Sequence, residues 1–572
     1  MSTRSSEAEL ALTLGDRAGL LFRAVLWRNH DSNDENRKAL TSLIERAQSD
    51  DSHTAWQELN DAFAGTLKFG TAGLRARMGP GPNRMNDSVV RFTAKGLAGF
   101  LKDIGGDSIV VGFDSRHNSE AFAIETARVT AGAGIRTFVL PRPLPTPVLA
   151  FAVRNLGCSA GVMLTASHNP STDNGFKVYL SDGRQIVEPN DTLISQYIAR
   201  NVVRPGSADI PLSDDWLRLT SEVVDSYLEK AIQLVQVRNE TGFCICYTPL
   251  HGVGGEVFNS LVQLAGFARL SPVFDQYLPH PDFPTVQYPN PEEPGAMDLA
   301  LAQASSESAD MIIAHDPDAD RCAVGLPSPV GWRMLTGDEL GWLLAWWVTQ
   351  GVSQEDPTGT LAQSIVSGSM LASIAKKAGL GYQQTLTGFK WISRVSGLRY
   401  GYEESLGYCL NPEVVADKDG ITAGLVAADM TAQLKRRGLS PLHVLDELAR
   451  LHGVCITQQE SLRFQHPDEA LVSMETLRRS PPSRIANQAV VKFDDLLDQH
   501  QPLPPTNALR FNLADESRVI IRPSGTEPKL KCYLEVVEPV TNGDLEQATA
   551  TAKDRMNQLV LHIHELIAEP KR

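Results

Sequence analysis

The sequence predicts an α/β protein of several domains, and three observations support this class. A length of 572 residues corresponds to about four domains of ordinary size. A hydrophobic content of 42% with 21% charged residues is enough for large buried cores. Apolar strand-like segments alternate with helix-like segments along much of the chain. This alternation favours parallel sheets whose active loops follow the carboxyl ends of the strands.

Charge and cysteine content narrow the class of partner. The formal net charge is −15 and no basic run is present, so we expect no nucleic-acid partner, and an anionic substrate requires a local basic pocket. Seven scattered cysteines without a CxxC pair indicate reduced thiols and a cytoplasmic location. The N-terminus does not resemble a signal peptide. The most apolar segment, Gly341 to Val348, is far too short to span a bilayer, so we expect no membrane association.

Residues 1–65 are predicted to form a helical N-terminal extension, and residues 66–222 a first domain. The segment from Lys68 to Asp87 is rich in Gly, Arg and Pro. Such a segment is compatible with a flexible loop, but Arg75 also suits a phosphate contact through its guanidinium group. A strand, a helix and a second strand then follow, which is the βαβ pattern of a parallel sheet.

The segment from Leu164 to Lys177 follows a buried strand and contains Ser167, His168 and Asn169. A serine at the end of a strand, beside a histidine, can act as a nucleophile or as a phosphate carrier. Taken alone, this tetrapeptide is more typical of an Asx/Ser turn. The other loops of the chain favour the phosphate carrier, because they offer carboxylates for a metal and a cationic loop for a second phosphate.

Residues 223–335 are predicted to form a second domain, in which an apolar strand ends in Asp316, Asp318 and Asp320. Three carboxylates so close together repel one another, and a buried strand would not carry them without a cation. An all-oxygen ligand set favours Mg²⁺, which commonly binds carboxylates together with a phosphate oxygen. The alternatives are a Ca²⁺-binding or a solvated acidic turn, which the apolar strand and the adjacent Arg321 disfavour.

Two further domains are predicted, at residues 336–455 and 456–572. Loops of the third domain supply reactive residue types: Gly388 and Lys390, then Glu403, Glu404 and Ser405, then Lys418. Adjacent carboxylates beside a hydroxyl can bind sugar hydroxyls, and an exposed acidic turn is an equally good interpretation. The fourth domain contains a strand hairpin with the tip RPSGTEPK, whose composition suits a phosphate cradle. The candidate phosphate ligands are Arg522, Ser524, Gly525 and Thr526.

Four motifs in this order, TASHNP, DPDADR, EES and RPSGTEP, resemble the α-D-phosphohexomutase superfamily. The resemblance covers nearly everything from Lys68 to Val536. Further stretches, among them KFGTAGLRARMGPG, TGFKW and DKDG, are similar to the branch that holds bacterial phosphoglucomutases/phosphomannomutases and eukaryotic phosphopentomutases. The resemblance implies a heart-shaped architecture of three similar α/β domains and a C-terminal α+β lid domain.

The resemblance also implies roles for individual residues. Ser167 would carry the phosphoryl group and, with Asp316, Asp318 and Asp320, would bind Mg²⁺. Tyr402 stands where many relatives have glycine, so we expect it to reshape the sugar pocket. The remaining roles are as follows: Arg75, His168, Lys177 and Arg321 around the transferring group, with His168 or Lys177 as acid/base; Glu403 and Ser405 on ring hydroxyls; Gly388, Lys390 and Lys418 along the sugar; Arg522, Ser524, Gly525 and Thr526 on the non-reacting phosphate.

The function implied is a Mg²⁺-dependent phosphomannomutase/phosphoglucomutase that interconverts hexose 1-phosphate and hexose 6-phosphate. The phosphoserine enzyme would act through a sugar 1,6-bisphosphate, which also serves as activator, and the enzyme would be a monomer or homodimer. A phosphopentomutase is the main alternative. A metal-dependent sugar phosphatase is disfavoured by the serine loop, and a non-catalytic sugar-phosphate-binding protein is disfavoured because every motif is present.

Overall fold

The computed structural model describes residues 14–49, 53–68, 73–202, 210–236, 240–352, 357–464, 467–498, 500, 503–524 and 529–568. Its N-terminal part comprises α1 (Leu14–His30), α2 (Asp34–Gln48) and α3 (His53–Ala62). Asn33 caps α2, because its side chain accepts hydrogen bonds from the backbone N–H groups at the start of that helix. The apolar faces of these helices share one core. The described part of the predicted N-terminal extension is therefore helical.

Unit I is a mixed sheet between helices. Its strand β2 is buried along its whole length, as is typical of a strand that is covered on both faces. The strand order is β1–β5–β4–β2–β3–β6, in which β2 is parallel to β3 and β4, and β5 is antiparallel to β4. The elements are β1 (Leu74–Arg77), α4 (Asp87–Asp103), β2 (Ser108–Phe113), α5 (Ser119–Gly132), β3 (Arg136–Val139), α6 (Thr146–Asn155), β4 (Ala160–Leu164), β5 (Asp173–Leu180), α7 (Asn190–Val202) and β6 (Leu217–Arg218).

Unit II has the strand order β11–β10–β9–β7–β8. Strand β7 is parallel to β8 and β9, whereas β10 pairs antiparallel with β9 and β11. Cys244 and Cys246 of β7 are buried and act as small apolar residues of the core. The elements are α8 (Glu222–Ala231), β7 (Glu240–Thr248), α9 (Gly254–Leu264), β8 (Phe267–Pro272), α10 (Phe274–Tyr277), α11 (Asp298–Glu307), β9 (Met311–Ala314), β10 (Ala323–Ser328) and β11 (Gly331–Met334).

Unit III repeats the pattern with the strand order β13–β12–β14–β15, in which β12 is parallel to both of its neighbours. The apolar segment from Gly341 to Val348 lies in α12, which begins with a capping box of Thr336 and Glu339. The elements are α12 (Gly337–Thr349), β12 (Thr360–Ser364), α13 (Met370–Lys377), β13 (Gly381–Thr385), α14 (Phe389–Ile392), β14 (Leu398–Glu403), β15 (Gly407–Cys409), α15 (Gly420–Arg436) and α16 (Pro441–His452).

Unit IV is an antiparallel sheet with the order β16–β21–β20–β19–β18–β17, and α17 and α18 pack against it. The hairpin of β20 and β21 carries the predicted phosphate loop at its tip. Strand β16 begins at Val454, just ahead of the predicted domain limit at residue 456. The elements are β16 (Val454–Arg463), α17 (Pro467–Arg479), β17 (Arg484–Ile485), β18 (Gln488–Asp495), β19 (Leu509–Leu513), β20 (Arg518–Pro523), β21 (Lys529–Glu538) and α18 (Leu545–Ala568).

Units I to III confirm the predicted α/β class, and unit IV is the predicted α+β unit. The serine loop, the carboxylate loop and the sugar loop follow β4, β9 and β14, each of which has a parallel neighbour. These loops therefore lie at the carboxyl ends of their strands, where α/β sheets bind ligands. No helix in the described ranges is long and apolar enough to cross a membrane.

Candidate active site

The hydroxyl of Ser167 lies against the carboxylate loop of unit II. Its Oγ donates a 2.9 Å hydrogen bond to Asp316 Oδ2, and His168 Nδ1 lies 3.2 Å from the same Oγ. Ser167 is only 1% exposed and has a φ of +54°, a left-handed conformation that is uncommon outside glycine. Thr165 Oγ1 holds the residue by accepting a 2.9 Å hydrogen bond from its backbone N–H. The structure thus brings together the two predicted loops that are most distant in function from ordinary turns.

The three carboxylates of the unit II loop form a compact, buried cluster. One oxygen from each of Asp316, Asp318 and Asp320 lies within 4.8 Å of the others, and all three residues are at most 1% exposed. Asp318 Oδ1 and Asp320 Oδ1 have no hydrogen-bond partner among the described residues. Because a buried carboxylate oxygen is costly to leave unpaired, these atoms fit the ligand set of a hard divalent cation.

Cationic side chains surround this cluster on several sides. Lys177 Nζ lies 2.6 Å from Asp318 Oδ2 and 3.1 Å from Asp320 Oδ2. Lys418 Nζ lies 3.2 Å from Asp320 Oδ2, and Arg321 Nε lies 3.9 Å from Asp320 Oδ1. Arg75 Nη1 donates to the Asn169 side chain at 3.4 Å, which places this guanidinium beside the serine loop. The negatively charged protein therefore contains the local basic pocket that an anionic substrate requires.

The electrostatics differ sharply among the three carboxylates. Burial, reinforced by Asp318 and Asp320, raises the pKa of Asp316 well above its usual value. Burial also opposes ionisation of Asp318, but the ammonium group of Lys177 outweighs it and holds the pKa of Asp318 below its usual range. Burial, together with the guanidinium groups of the site, lowers the pKa of His168, whose imidazole is therefore neutral at physiological pH.

The predicted sugar loop lies beside the cluster. Glu403 ends β14 and is 8% exposed, and burial raises its pKa to about 7 although Lys418 opposes this shift. Glycine is required at position 407, because a Cβ there would lie 2.4 Å from Lys418 Cδ and 3.0 Å from Glu403 Cγ. Ser405 is half-buried in the turn that joins β14 to β15. The carboxylate and the ammonium group are thus held side by side at the edge of the site.

The expectation that Tyr402 reshapes the sugar pocket is wrong. Its side chain is fully buried inside unit III, and its hydroxyl donates a 2.8 Å hydrogen bond to Asp338 Oδ1. Tyr402 and Glu403 are neighbours on β14, and successive side chains of a strand point to opposite faces of the sheet. When Glu403 faces the site, Tyr402 must therefore face the core, where it stacks on Tyr400 and Tyr408.

The predicted residues Gly388 and Lys390 flank α14. Gly388 precedes the helix with a φ of +105°, which accounts for the glycine. Lys390 is 7% exposed, and the acidic groups that act on its ammonium group are Asp191 and Glu188 of unit I. Phe389, not Lys390, approaches the basic pocket, with its ring 5.6 Å from Lys418 Nζ. The structure places Lys390 at the contact between units I and III.

The predicted phosphate loop of unit IV reaches unit III. Arg522 donates a hydrogen bond to Thr387 Oγ1, in the loop before α14. Ser524 is half-buried, and its backbone N–H donates to Lys529 O at 2.9 Å. Lys531 of β21 shares the electrostatic environment of Glu404 and Arg522. Gly525 and Thr526, which were predicted as further phosphate ligands, lie outside the described residues.

Two residues that sequence reasoning missed, Arg116 and Thr146, support the central loops. Thr146 Oγ1 donates a 2.6 Å hydrogen bond to Asp318 Oδ2, and Thr146 N donates to Asp318 O at 2.9 Å. Thr146 begins α6, and a threonine at the start of a helix is ordinarily interpreted as a cap. Its contact with another unit therefore has no signal in the local sequence.

This arrangement defines a class of protein: an α/β enzyme with a buried serine aimed at a carboxylate cluster, cations on either side, and a basic loop on a separate unit. Comparison with known families agrees. The models for phosphoglucomutase/phosphomannomutase alpha/beta/alpha domains I, II and III match residues 66–203, 225–328 and 336–449, and the model for the C-terminal domain matches residues 482–552. The chain belongs to the phosphoglucomutase/phosphomannomutase family.

Similar proteins carry the names of several phosphomutases. The chain is 44% identical over 456 residues to "Probable phosphomannomutase" of Haemophilus influenzae, which covers 79% of this chain and 93% of that protein. It is 34% identical over 609 residues to "Phosphopentomutase" of Homo sapiens, with coverage of 98% and 97%. The structure of a phosphomannomutase from Thermus thermophilus superposes with a TM-score of 0.67 at 23% identity, covering 86% of this chain and 99% of that one, and supports the fold. The chain is therefore a phosphomutase, an isomerase that transfers a phosphate group.

Proposed function

We propose that the enzyme is a Mg²⁺-dependent phosphomannomutase/phosphoglucomutase that works through phosphorylated Ser167. The observation that carries this proposal is the 2.9 Å hydrogen bond from Ser167 Oγ to Asp316, at the edge of a carboxylate cluster with two unpaired oxygens. A phosphoryl group on that Oγ would lie within reach of the cluster and of Arg321. Mg²⁺ bound by Asp316, Asp318 and Asp320 would offset the charge of that group.

The transfer conserves the phosphoryl group and needs one proton acceptor. The bond between phosphorus and Ser167 Oγ breaks as a bond forms to the free hydroxyl oxygen of a hexose monophosphate, whose proton passes to a base. The neutral imidazole of His168 and the amino group of Lys177 both lie at the serine and can take this role. The resulting hexose 1,6-bisphosphate turns over in the cleft and returns its other phosphate to Ser167, which leaves the isomeric product.

The remaining groups bind the sugar phosphate. Glu403 and Ser405 would accept and donate hydrogen bonds to ring hydroxyls, beside Lys418. The loop of unit IV, with Arg522 and Ser524, would hold the phosphate that does not react. A general phosphate cradle suits this task, because each turnover presents the sugar in two orientations. Substrate exchange at such a site needs no macromolecular partner, so we propose a monomer or homodimer, and the seven unpaired cysteines support a cytoplasmic enzyme.

A phosphopentomutase is the second candidate, because relatives with that name match 98% of the chain. A turnover assay distinguishes the two. Mannose 1-phosphate, glucose 1-phosphate and ribose 1-phosphate would each be supplied with Mg²⁺ and a trace of glucose 1,6-bisphosphate, and products followed by phosphorus NMR. Fastest conversion of a hexose phosphate supports the proposal, fastest conversion of ribose 1-phosphate replaces it with the second candidate, and release of inorganic phosphate alone overturns both.

The serine itself is tested with a matched pair of variants. Ser167→Ala should abolish turnover and the phosphorylation of the protein by glucose 1,6-bisphosphate, while the unfolding temperature stays near that of the wild type. Ser171→Ala, a change in the same loop, should leave both unaffected. Retention of near-normal turnover by Ser167→Ala would show that another residue carries the phosphoryl group.

A further inference from the structure

The guanidinium group of Arg116 gathers the backbone of the serine loop. Arg116 follows β2 and is 4% exposed. Its Nη2 donates to Ser167 O and, at 2.7 Å, to Asn169 O. Its Nη1 donates to Pro170 O at 2.7 Å and to Asp173 O at 3.3 Å. One side chain therefore binds four carbonyl oxygens of the loop that carries the reactive serine.

The same network holds the serine from its other side. Asp114 Oδ2 lies 3.2 Å from Arg116 Nε and accepts a 2.6 Å hydrogen bond from Thr165 Oγ1. Thr165 Oγ1 in turn accepts the backbone N–H of Ser167. The N–H and the C=O of Ser167 are thus both bound by groups that meet at Asp114. Ser119 Oγ completes the anchor by donating to Asp114 Oδ1 at 2.6 Å.

A residue of unit II closes this network. The ring of Phe283 lies 4.9 Å from the Arg116 guanidinium carbon, and Phe283 is 1% exposed. A guanidinium group whose hydrogen-bond donors lie in one plane can bind acceptors at its edge and an aromatic ring on its face at the same time. Arg116 is therefore fixed by unit I at its edge and by unit II on its face, as the reacting groups are.

The conformation of Ser167 explains why such a network is needed. A non-glycine residue at φ +54° is strained, and it persists only where its surroundings determine it on both sides. Relaxation of that torsion would swing Oγ away from Asp316. An arginine that only stabilised the fold would need neither the Ser167 carbonyl nor a link through Thr165 to the Ser167 N–H.

We propose that Arg116 is a positioning residue of the phosphoryl transfer: it holds the backbone of Ser167 so that Oγ faces the carboxylate cluster. The proposal rests on the function proposed above. Arg116 touches no reacting atom, so its loss should impair the chemical step more than the binding of the sugar phosphate, which depends on units III and IV.

The test uses the full-length enzyme and three variants. In Arg116→Met, kcat should fall about 100-fold while KM changes less than about threefold, because misplaced reacting groups cost rate. The rate at which glucose 1,6-bisphosphate phosphorylates Ser167, followed by intact-protein mass spectrometry, should fall by a similar factor. Arg116→Lys should recover part of both rates, since an ammonium group can bind some of the carbonyls. Arg91→Met is the matched control: Arg91 loses a partly buried ion pair with Glu125 in the same unit, and both rates should stay at the wild-type level.

A milder variant keeps the proposal testable if Arg116→Met does not fold. Thr165→Val removes the acceptor of the Ser167 N–H and should also lower the phosphorylation rate, with KM unchanged. If Arg116→Met or Thr165→Val is phosphorylated at the wild-type rate, the positioning role is wrong. If the wild-type enzyme itself takes no phosphate on Ser167, the proposed function fails instead, and the two failures are thereby distinguished.

Discussion

Lys177 of unit I donates a 2.6 Å hydrogen bond to Asp318 of unit II, where both side chains are at most 2% exposed. The ammonium group thereby offsets part of the charge of three clustered carboxylates. Loss of one partner from a buried pair typically costs about 3–5 kcal/mol, because the other charge remains buried without compensation. The pair therefore links the stability of the two units to the charge of the proposed metal site.

Lys177→Met should make the enzyme depend on Mg²⁺ for stability. Without Lys177, Asp318 and Asp320 lose their nearest cation, so the variant should unfold at a lower temperature than the wild type in EDTA. Added Mg²⁺ can supply the missing positive charge and should raise the unfolding temperature more in the variant than in the wild type. Differential scanning calorimetry with EDTA and with Mg²⁺ measures both shifts.

Lys435→Met is the control for this prediction. Lys435 Nζ lies 2.5 Å from Asp310, also between two units, but its side chain is 53% exposed. Such an exposed pair contributes about 0–1 kcal/mol, and its loss should be insensitive to Mg²⁺. Equal Mg²⁺-induced shifts in Lys177→Met and the wild type would mean that the carboxylate cluster does not bind the ion.

Thr146→Val should weaken Mg²⁺ binding without unfolding the protein. Valine has nearly the shape of threonine but cannot donate to Asp318 Oδ2, so this carboxylate loses a group that orients it. Groups that orient metal ligands typically contribute 10- to 100-fold in affinity, and we expect the Mg²⁺ concentration for half-maximal turnover to rise about tenfold. Thr126→Val, which changes a buried threonine that bonds Phe122 O within α5, should leave that concentration unchanged. An unchanged Mg²⁺ requirement in Thr146→Val would remove Thr146 from the support of the site.

The parts of the site that the sequence predicted are those with a local signal. Ser167, Asp316 and Glu403 each end or follow an apolar strand, and the carboxyl ends of such strands meet at one edge of a sheet. The contacts of Arg116 could not be predicted, because its partners are backbone carbonyl oxygens, which every residue possesses. Tyr402 shows a different limit: strand alternation assigns it to the core, but comparison of a single position with relatives does not consider which face of the strand it occupies.

Arg518→Met should separate the lid from the sugar loop. Arg518 donates to Ile365 O at 3.2 Å and to Ser367 O at 2.6 Å, and Ser367 Oγ donates to Glu404 at 2.9 Å. The phosphate loop at the end of β20 and the sugar loop are thus held by the same short segment of unit III. Without Arg518 the two loops should lose their alignment, and we expect KM for the sugar phosphate to rise about tenfold, a change of about 1.4 kcal/mol. Steady-state kinetics with glucose 1-phosphate or mannose 1-phosphate measures it.

A second arginine of unit IV provides the comparison for Arg518. Arg510 pairs with Asp494 at 2.8 Å inside the same sheet, away from unit III. Arg510→Met should lower stability slightly and leave KM near the wild-type value. If both variants raise KM equally, the effect belongs to unit IV as a whole and the alignment through Ser367 is not responsible.

Asp338 should make the stability of the enzyme fall as the pH rises. Burial raises its pKa to about 7, and the charge of Glu404 contributes in the same direction. The carboxyl group accepts hydrogen bonds from Gly368 N at 2.8 Å and from the Tyr402 hydroxyl, beneath the sugar loop. Because the folded protein holds this proton more tightly than the unfolded chain, the stabilising effect is fully present below about pH 4 and is lost by about pH 7.

Asp338→Asn removes this titration while it keeps an oxygen that accepts both hydrogen bonds. The wild type should therefore lose stability relative to the variant between pH 5 and pH 8, by about 1.4 kcal/mol for each unit of pKa difference titrated in that range. Urea unfolding at the two pH values measures the free energy of unfolding of both proteins. Asp225→Asn, at an exposed position of α8, should run parallel to the wild type. Parallel curves for Asp338→Asn and the wild type would show that Asp338 stays ionised in the folded enzyme, with its charge compensated by the donors around it.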